Sequence, residues 1–284
     1  MRWKGRAKSS NVDDRRRRNV RRVGTGIGVG GALLILAFAL LTGEDPGKML
    51  QQAQQRQVPA QTQSQGTSSS DELADFVSTT LKFTEDVWNK LFREQLGQNY
   101  KEPILVLYED QISSACGYAS SASGPFYCPG DYKLYIDLSF YNELQTRFRA
   151  PGDFAMAYIV AHEVGHHVQN LLGITRQVQS QRGRISKAAY NDLSVRLELQ
   201  ADFLAGVWAH HSHKMDEIIE KGDIEEALNA ANAVGDDRIQ KETMGYVVPD
   251  AFTHGTSDQR MRWFMKGLKS GNLNEGDTFA ARNL

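Results

Sequence analysis

Twenty-one consecutive residues, Val23 to Gly43, carry no charge, and the run ends at Glu44 and Asp45. As a helix such a stretch is about 31 Å long, close to the ~30 Å hydrocarbon core of a bilayer. A chain containing it is expected to be divided by a membrane. Residues 1 to 22 hold ten Lys/Arg against two acids, with Arg15 to Arg18, Arg21 and Arg22 next to the run. Basic residues before the span and acids after it predict a cytoplasmic N-terminus, one crossing and the bulk of the chain outside. An uncleaved anchor is favoured over a signal peptide, because the stretch is long, the basic region is extended and no clear small-x-small cleavage site follows. Gly24/Gly28 and Gly26/Gly30 form overlapping GxxxG pairs that would let two anchors approach as a homodimer, although small residues are common in membrane helices in any case. The GxGxxG match at Gly26, Gly28 and Gly31 has no preceding strand and is a chance pattern.

Beyond residue 22 the chain carries 23 basic and 32 acidic groups. A mildly acidic body argues against a nucleic-acid partner, which would need a basic face on the folded domain. Gln51 to Ser70 is rich in Gln, Ser and Thr and too poor in apolar side chains to order itself, so it reads as a disordered tether. The expected organisation is a basic cytoplasmic tail (1–22), a transmembrane helix (23–43), a Gln/Ser-rich linker (44–70) and one globular domain (71–284). With 40% apolar residues over 284 positions the chain can bury a sizeable core.

Within that domain, apolar spacing predicts a helix from Asp71 to about Leu96, short strands at Ile104–Tyr108 and Tyr132–Leu138, and helices at Phe154–Leu172, Ser186–His210, Asp223–Val234 and Ser257–Leu268. The class is α+β, helix-dominated, with a small sheet. Cys116 and Cys128 bracket a Gly/Ser/Pro-containing loop that can bring them within bridging distance. In an oxidising space they should form one disulfide, contributing about 3 kcal/mol by loop-entropy estimates; two free thiols are the alternative.

The chemistry is carried by AHEVGHHVQN. His162 and His166 are one helical turn apart, so both imidazoles leave one face at the separation that two ligands of a single metal need. Glu163, beside the first of them, can reach a metal-associated water without becoming a ligand. This HExxH pattern on an apolar helix points to zinc hydrolysis. The third-histidine extension of the metzincins is absent, with Gln169 in its glycine place. In RLELQADFLAGVW, Glu198 and Asp202 are again i and i+4 on a helix whose flanks are apolar. Glu198 suits the third ligand position, and Asp202 suits the Nδ1–H of a ligating histidine. His254, in THGTSDQR just before the last helix, is the best candidate donor to a tetrahedral oxyanion; Tyr246 is a weaker one. The YKLYIDL strand could lie along the cleft and pair with an extended peptide.

The segments CGYASSASGPFYCPGDYKLYIDLSF, AHEVGHHVQN, LELQADFLAGVWAH and FTHGTSDQR together resemble the bacterial neutral zinc metallopeptidase family, the YpfJ-like zincins of the glutamate type. The resemblance implies a zincin-like fold, one Zn²⁺ per chain held by His162, His166 and Glu198, and a catalytic Glu163. It supplies no substrate beyond the class of peptides and proteins. With the anchor it implies a single-pass protein of the bacterial inner membrane with its catalytic domain in the periplasm or outside the cell. Two functions follow: a zinc-dependent endopeptidase, favoured by the glutamate base, or a zinc-stabilised envelope scaffold with little turnover.

Overall fold

Ile104–Tyr108 is an unbroken run of apolar residues, ILVLY, as a strand buried on both faces requires. The computed structural model, which describes residues 1–16 and 69–284, places this strand (β2) inside a four-stranded sheet. Its alternate side chains part to two sides: Leu105 and Leu107 join the main core, while Val106 and Tyr108 pack with Cys128 and Tyr135. The sheet order is β1 (Val12–Asp14), β2, β6 (Lys133–Asp137), β5 (Phe126–Cys128), parallel except for the antiparallel β5/β6 pair. A separate hairpin, β3 (Gln111–Ser114) and β4 (Gly117–Ser120), precedes β5. The Cys116–Cys128 disulfide forms, with a Cα–Cα distance of 5.7 Å, and ties the hairpin turn to the end of β5.

Eight α-helices are described: α1 (Ser69–Gln95), α2 (Phe140–Thr146), α3 (Asp153–Leu171), α4 (Ile174–Ser180), α5 (Lys187–Asp216), α6 (Asp223–Ala233), α7 (Asp236–Met244) and α8 (Ser257–Ser270). The protein is therefore α-rich with small sheets. Helix α3, apolar almost all round, is central and packs against α1, α5 and α6. Two close backbone approaches set the helix positions. A Cβ on Gly165 of α3 would stand 2.9 Å from the Ala201 carbonyl oxygen of α5. Where α5 crosses α8, a Cβ on Gly206 would meet the Phe264 carbonyl oxygen at 2.1 Å, and one on Gly267 the Phe203 carbonyl oxygen at 2.0 Å. Only glycine permits either contact.

The N-terminal residues correct the expected topology. Residues 1–15 and 69–284 form one compact unit. In β1, Val12, Asp13 and Asp14 pair in register with Leu105, Val106 and Leu107. The N–H of Arg15 donates to the Leu107 carbonyl at 2.8 Å, Trp3 packs edge-on against Phe76, and Ser9 Oγ donates to the buried Glu85. A basic cytoplasmic tail separated from its domain by a bilayer cannot make these bonds, because a single crossing between residues 15 and 69 would put β1 and β2 on opposite sides. Among the described residues no helix is long and apolar enough to cross a membrane. The expected single-pass topology, with its inner-membrane and periplasmic placement, is corrected on these findings. The span at 23–43, its glycine pairs and the linker up to residue 68 lie outside the described residues; Ser69 and Ser70, assigned to the linker, open α1.

One test follows. A chain truncated to begin at Asp71 lacks β1 and leaves the β2 edge unpaired, so it should unfold at a lower temperature and scatter light in a concentration-dependent way. A melting curve identical to that of the full chain would show that the N-terminal strand adds nothing.

Candidate metal centre

Helices α3 and α5 bring together the residues that the spacing singled out. Ligand atoms of His162, His166 and Glu198 all lie within 4.8 Å of one another. The Nε2 atoms of His162 and His166 stand 3.1 and 3.4 Å from the two Glu198 carboxylate oxygens, so three donors converge on one point. The α3–α5 contact at Gly165 makes this convergence possible, since it brings the two helix backbones to within reach of short side chains.

The opposite edge of each imidazole is also fixed. His162 Nδ1 is 2.7 Å from Asp202 Oδ1, and His166 Nδ1 is 2.9 Å from the amide oxygen of Gln169. With Nδ1–H donating in both rings, both Nε2 atoms are left as lone-pair donors, the tautomer a metal requires. Two imidazole nitrogens and a carboxylate, each oriented and largely buried, fit a zinc ion with one position open to water or substrate.

Asp202 is fully buried, and Arg260 of α8 grips it with two bonds, Nε to Oδ2 at 2.8 Å and Nη2 to Oδ1 at 3.0 Å. Tyr158, one turn before His162, donates its hydroxyl to the same carboxylate. Burial would raise the Asp202 pKa, but the Arg260 guanidinium and the His162 imidazole outweigh it and hold it at about 2. Gln169 is likewise anchored, donating to the Leu197 carbonyl at 2.7 Å and to Gln200 at 3.0 Å. Arg260 and Gln169 were not assigned from sequence, although Arg260 lies in the FTHGTSDQR segment; a basic residue on an amphipathic helix reads as solvated until its buried partner is known. Gln169→Leu should weaken zinc retention about 10-fold, measured by chelator competition, because the His166 ring then loses its orienting acceptor.

A cleft of about 450 Å³ opens onto the triad, lined among others by Phe126, Tyr127, Phe148, Ile159, Glu163 and His254. Glu163 points into it without belonging to the triad. Burial raises the Glu163 pKa against the pull of the His166 and His162 imidazoles. A larger apolar cavity of about 650 Å³, walled by Leu172, Val178, Leu204 and Phe279, contains none of these groups and is a separate feature.

His254 lines the cleft from the loop between α7 and α8, and its Nδ1 is 3.1 Å from Asp236 Oδ1. The other Asp236 oxygen accepts the N–H groups of Thr253, His254 and Gly255 at 2.7, 2.6 and 3.1 Å, which fixes the loop to the start of α7. The Asp236 hydrogen bond raises the His254 pKa. Asp236 escaped sequence reading because an acid at a helix start is an ordinary capping choice. Tyr246 is 64% exposed and does not line the cleft. The strand beside the cleft is β5, through Phe126 and Tyr127, rather than the YKLYIDL strand: β6 is paired on both sides, with β2 and β5, whereas β5 is an edge among the described residues.

An α-rich protein whose central helix carries two histidines facing a carboxylate from the next long helix has the form of a helix-borne candidate metal site. Comparison with known proteins makes the class specific. The family described as "Putative neutral zinc metallopeptidase" matches residues 1–279. The chain is 46% identical over 292 residues to the uncharacterized protein YpfJ of Escherichia coli, covering 98% of this chain and 99% of that one. It is 40% identical over 263 residues to an uncharacterized protein of Mycobacterium tuberculosis, covering 87% of this chain and 86% of the other. No solved structure matches. The chain belongs to the neutral zinc metallopeptidase family.

Proposed function

We propose that this chain hydrolyses peptide bonds in peptide or protein substrates, with one zinc ion held by His162, His166 and Glu198 and with Glu163 as general base. The observation that carries the reading is the position of Glu163: a carboxylate in the cleft of the triad yet outside it, where a purely structural metal site would have no use for it. Zinc, when bound, supplies the Lewis acidity that polarises the scissile carbonyl.

The remaining work falls to the chain's own groups. An extended substrate lies along the open edge of β5, pairing with its backbone. Glu163 removes the proton of the attacking water and returns it to the leaving amine. His254, turned into the cleft by its bond to Asp236, donates to the oxyanion of the tetrahedral intermediate. Asp202, Arg260 and Gln169 keep the two imidazoles in the tautomer and orientation that the metal needs.

The test is hydrolysis of fluorescein-labelled denatured casein by the zinc-loaded full chain, with chelator-treated protein as control. Zinc-dependent cleavage is expected. Its absence at one zinc per chain would favour the alternative, a zinc-stabilised scaffold. In the same assay His254→Ala should lower kcat by about 10²-fold with little change in zinc content, and an unchanged kcat would return His254 to a loop-capping role.

A further inference from the structure

Just past the second histidine of the triad, α3 turns two more polar side chains toward β5. His167 is fully buried, with its Nε2 2.6 Å from the Lys101 carbonyl oxygen. That nitrogen must carry the hydrogen, which leaves Nδ1 as an acceptor, 3.0 Å from the Tyr127 hydroxyl. The phenol oxygen in turn accepts from Asn170 Nδ2 at 2.9 Å, and the same amide approaches the Pro129 carbonyl at 3.3 Å. The rings of Tyr100, Tyr127 and Tyr132 stand edge-on around His167.

The strand that receives this attention is three residues long and, among the described residues, hydrogen-bonded on one side only. A ladder that short does not by itself fix the height of an edge strand, yet Tyr127 of β5 lines the same cleft as Glu163. We propose that His167 and Asn170 are positioning residues which clamp Tyr127, and with it the β5 backbone, to the helix that bears Glu163. The inference rests on the peptidase reading and adds to it that the base and the strand on which substrate lies are tied to one rigid element. Neither residue touches substrate; each acts through Tyr127.

The experiment uses the zinc-loaded full chain and two variants. Tyr127→Phe keeps the ring and removes the hydroxyl, so that His167 Nδ1 and the Asn170 amide lose their shared partner. Asn170→Ala, at a half-buried position, keeps the test open if the first variant does not fold. Amide hydrogen exchange at Phe126–Cys128 should accelerate about 10-fold, the loss of roughly one hydrogen bond's net contribution, while α3 and β2 exchange as before. With labelled denatured casein, kcat should fall about 10-fold and KM change less than twofold, with zinc still at one per chain. Unchanged β5 exchange in both variants, acceleration spread evenly over the domain, or local loosening with kcat intact would each overturn the proposal. If the wild type cleaves nothing, the peptidase reading fails on its own and the exchange data alone decide whether the clamp exists.

Discussion

Glu163→Gln is expected to lower peptide hydrolysis by about two to four orders of magnitude while the protein still binds one zinc per chain and melts near the wild-type temperature. The substitution keeps the shape of the side chain and removes its capacity to take a proton. None of the three metal-facing groups is touched, since Glu163 lies beside the triad and outside it. Because a buried carboxylate is replaced by a neutral amide, no charge is left stranded, and thermal stability should hold or rise slightly. Zinc content by atomic emission, a melting curve and the casein assay, run on one preparation, separate the possibilities. A variant as active as wild type would remove Glu163 from the chemistry, and a variant that loses zinc would place it among the ligands instead.

Arg260→Ala should destabilise the fold by about 3–5 kcal/mol, the usual consequence of removing one partner from a buried ion pair. Asp202 has no exposure, and Arg260 supplies two of its bonds. Without the guanidinium the carboxylate keeps, among the described residues, Tyr158 and His162 as donors and must remain charged in its buried site or take up a proton. Protonation would turn an acceptor for His162 Nδ1–H into a weaker one, so zinc retention should fall together with stability. Denaturant unfolding measures the first effect and chelator competition the second. The double variant Asp202→Asn/Arg260→Met, which removes both charges, should be less destabilised than the sum of its parts. Strict additivity would show that the two groups do not act as a unit.

The legible part of this molecule was the part written in helical periods. The i, i+4 spacing of His162 and His166 and of Glu198 and Asp202 could be read because a helix converts sequence distance into a shared face. The long helices were placed to within a few residues, except that α5 runs six residues past the expected His210, to Asp216. What escaped reading depends on partners distant in sequence. β5 has three residues, too few for an alternation to register, so the neighbouring YKLYIDL is the strand that the sequence offers for the cleft. β1 has the sequence VDD just ahead of the run Arg15 to Arg18, and charge alone marks it as a solvated tail. What holds it is backbone hydrogen bonding to β2, which is blind to side-chain type. Gln169, Arg260 and Asp236 have roles defined by what they touch across the fold, and nothing in their local patterns distinguishes them from ordinary helix residues.

The pairing of β1 with β2 also fixes an order of events. Val12 finds its partner in Leu105, and β2 is in turn flanked by β6, so the strand synthesised first waits for a template that emerges much later. The rest of the sheet and the hairpin disulfide link residues close in sequence and can form early, whereas closing a contact this remote is slow. During that interval the nascent chain carries an idle leading strand and an uncovered parallel edge, each competent to pair with the wrong neighbour. A destabilising change in residues 12–14 should therefore show itself first as poor yield from the ribosome, and only afterwards as a change in the finished molecule.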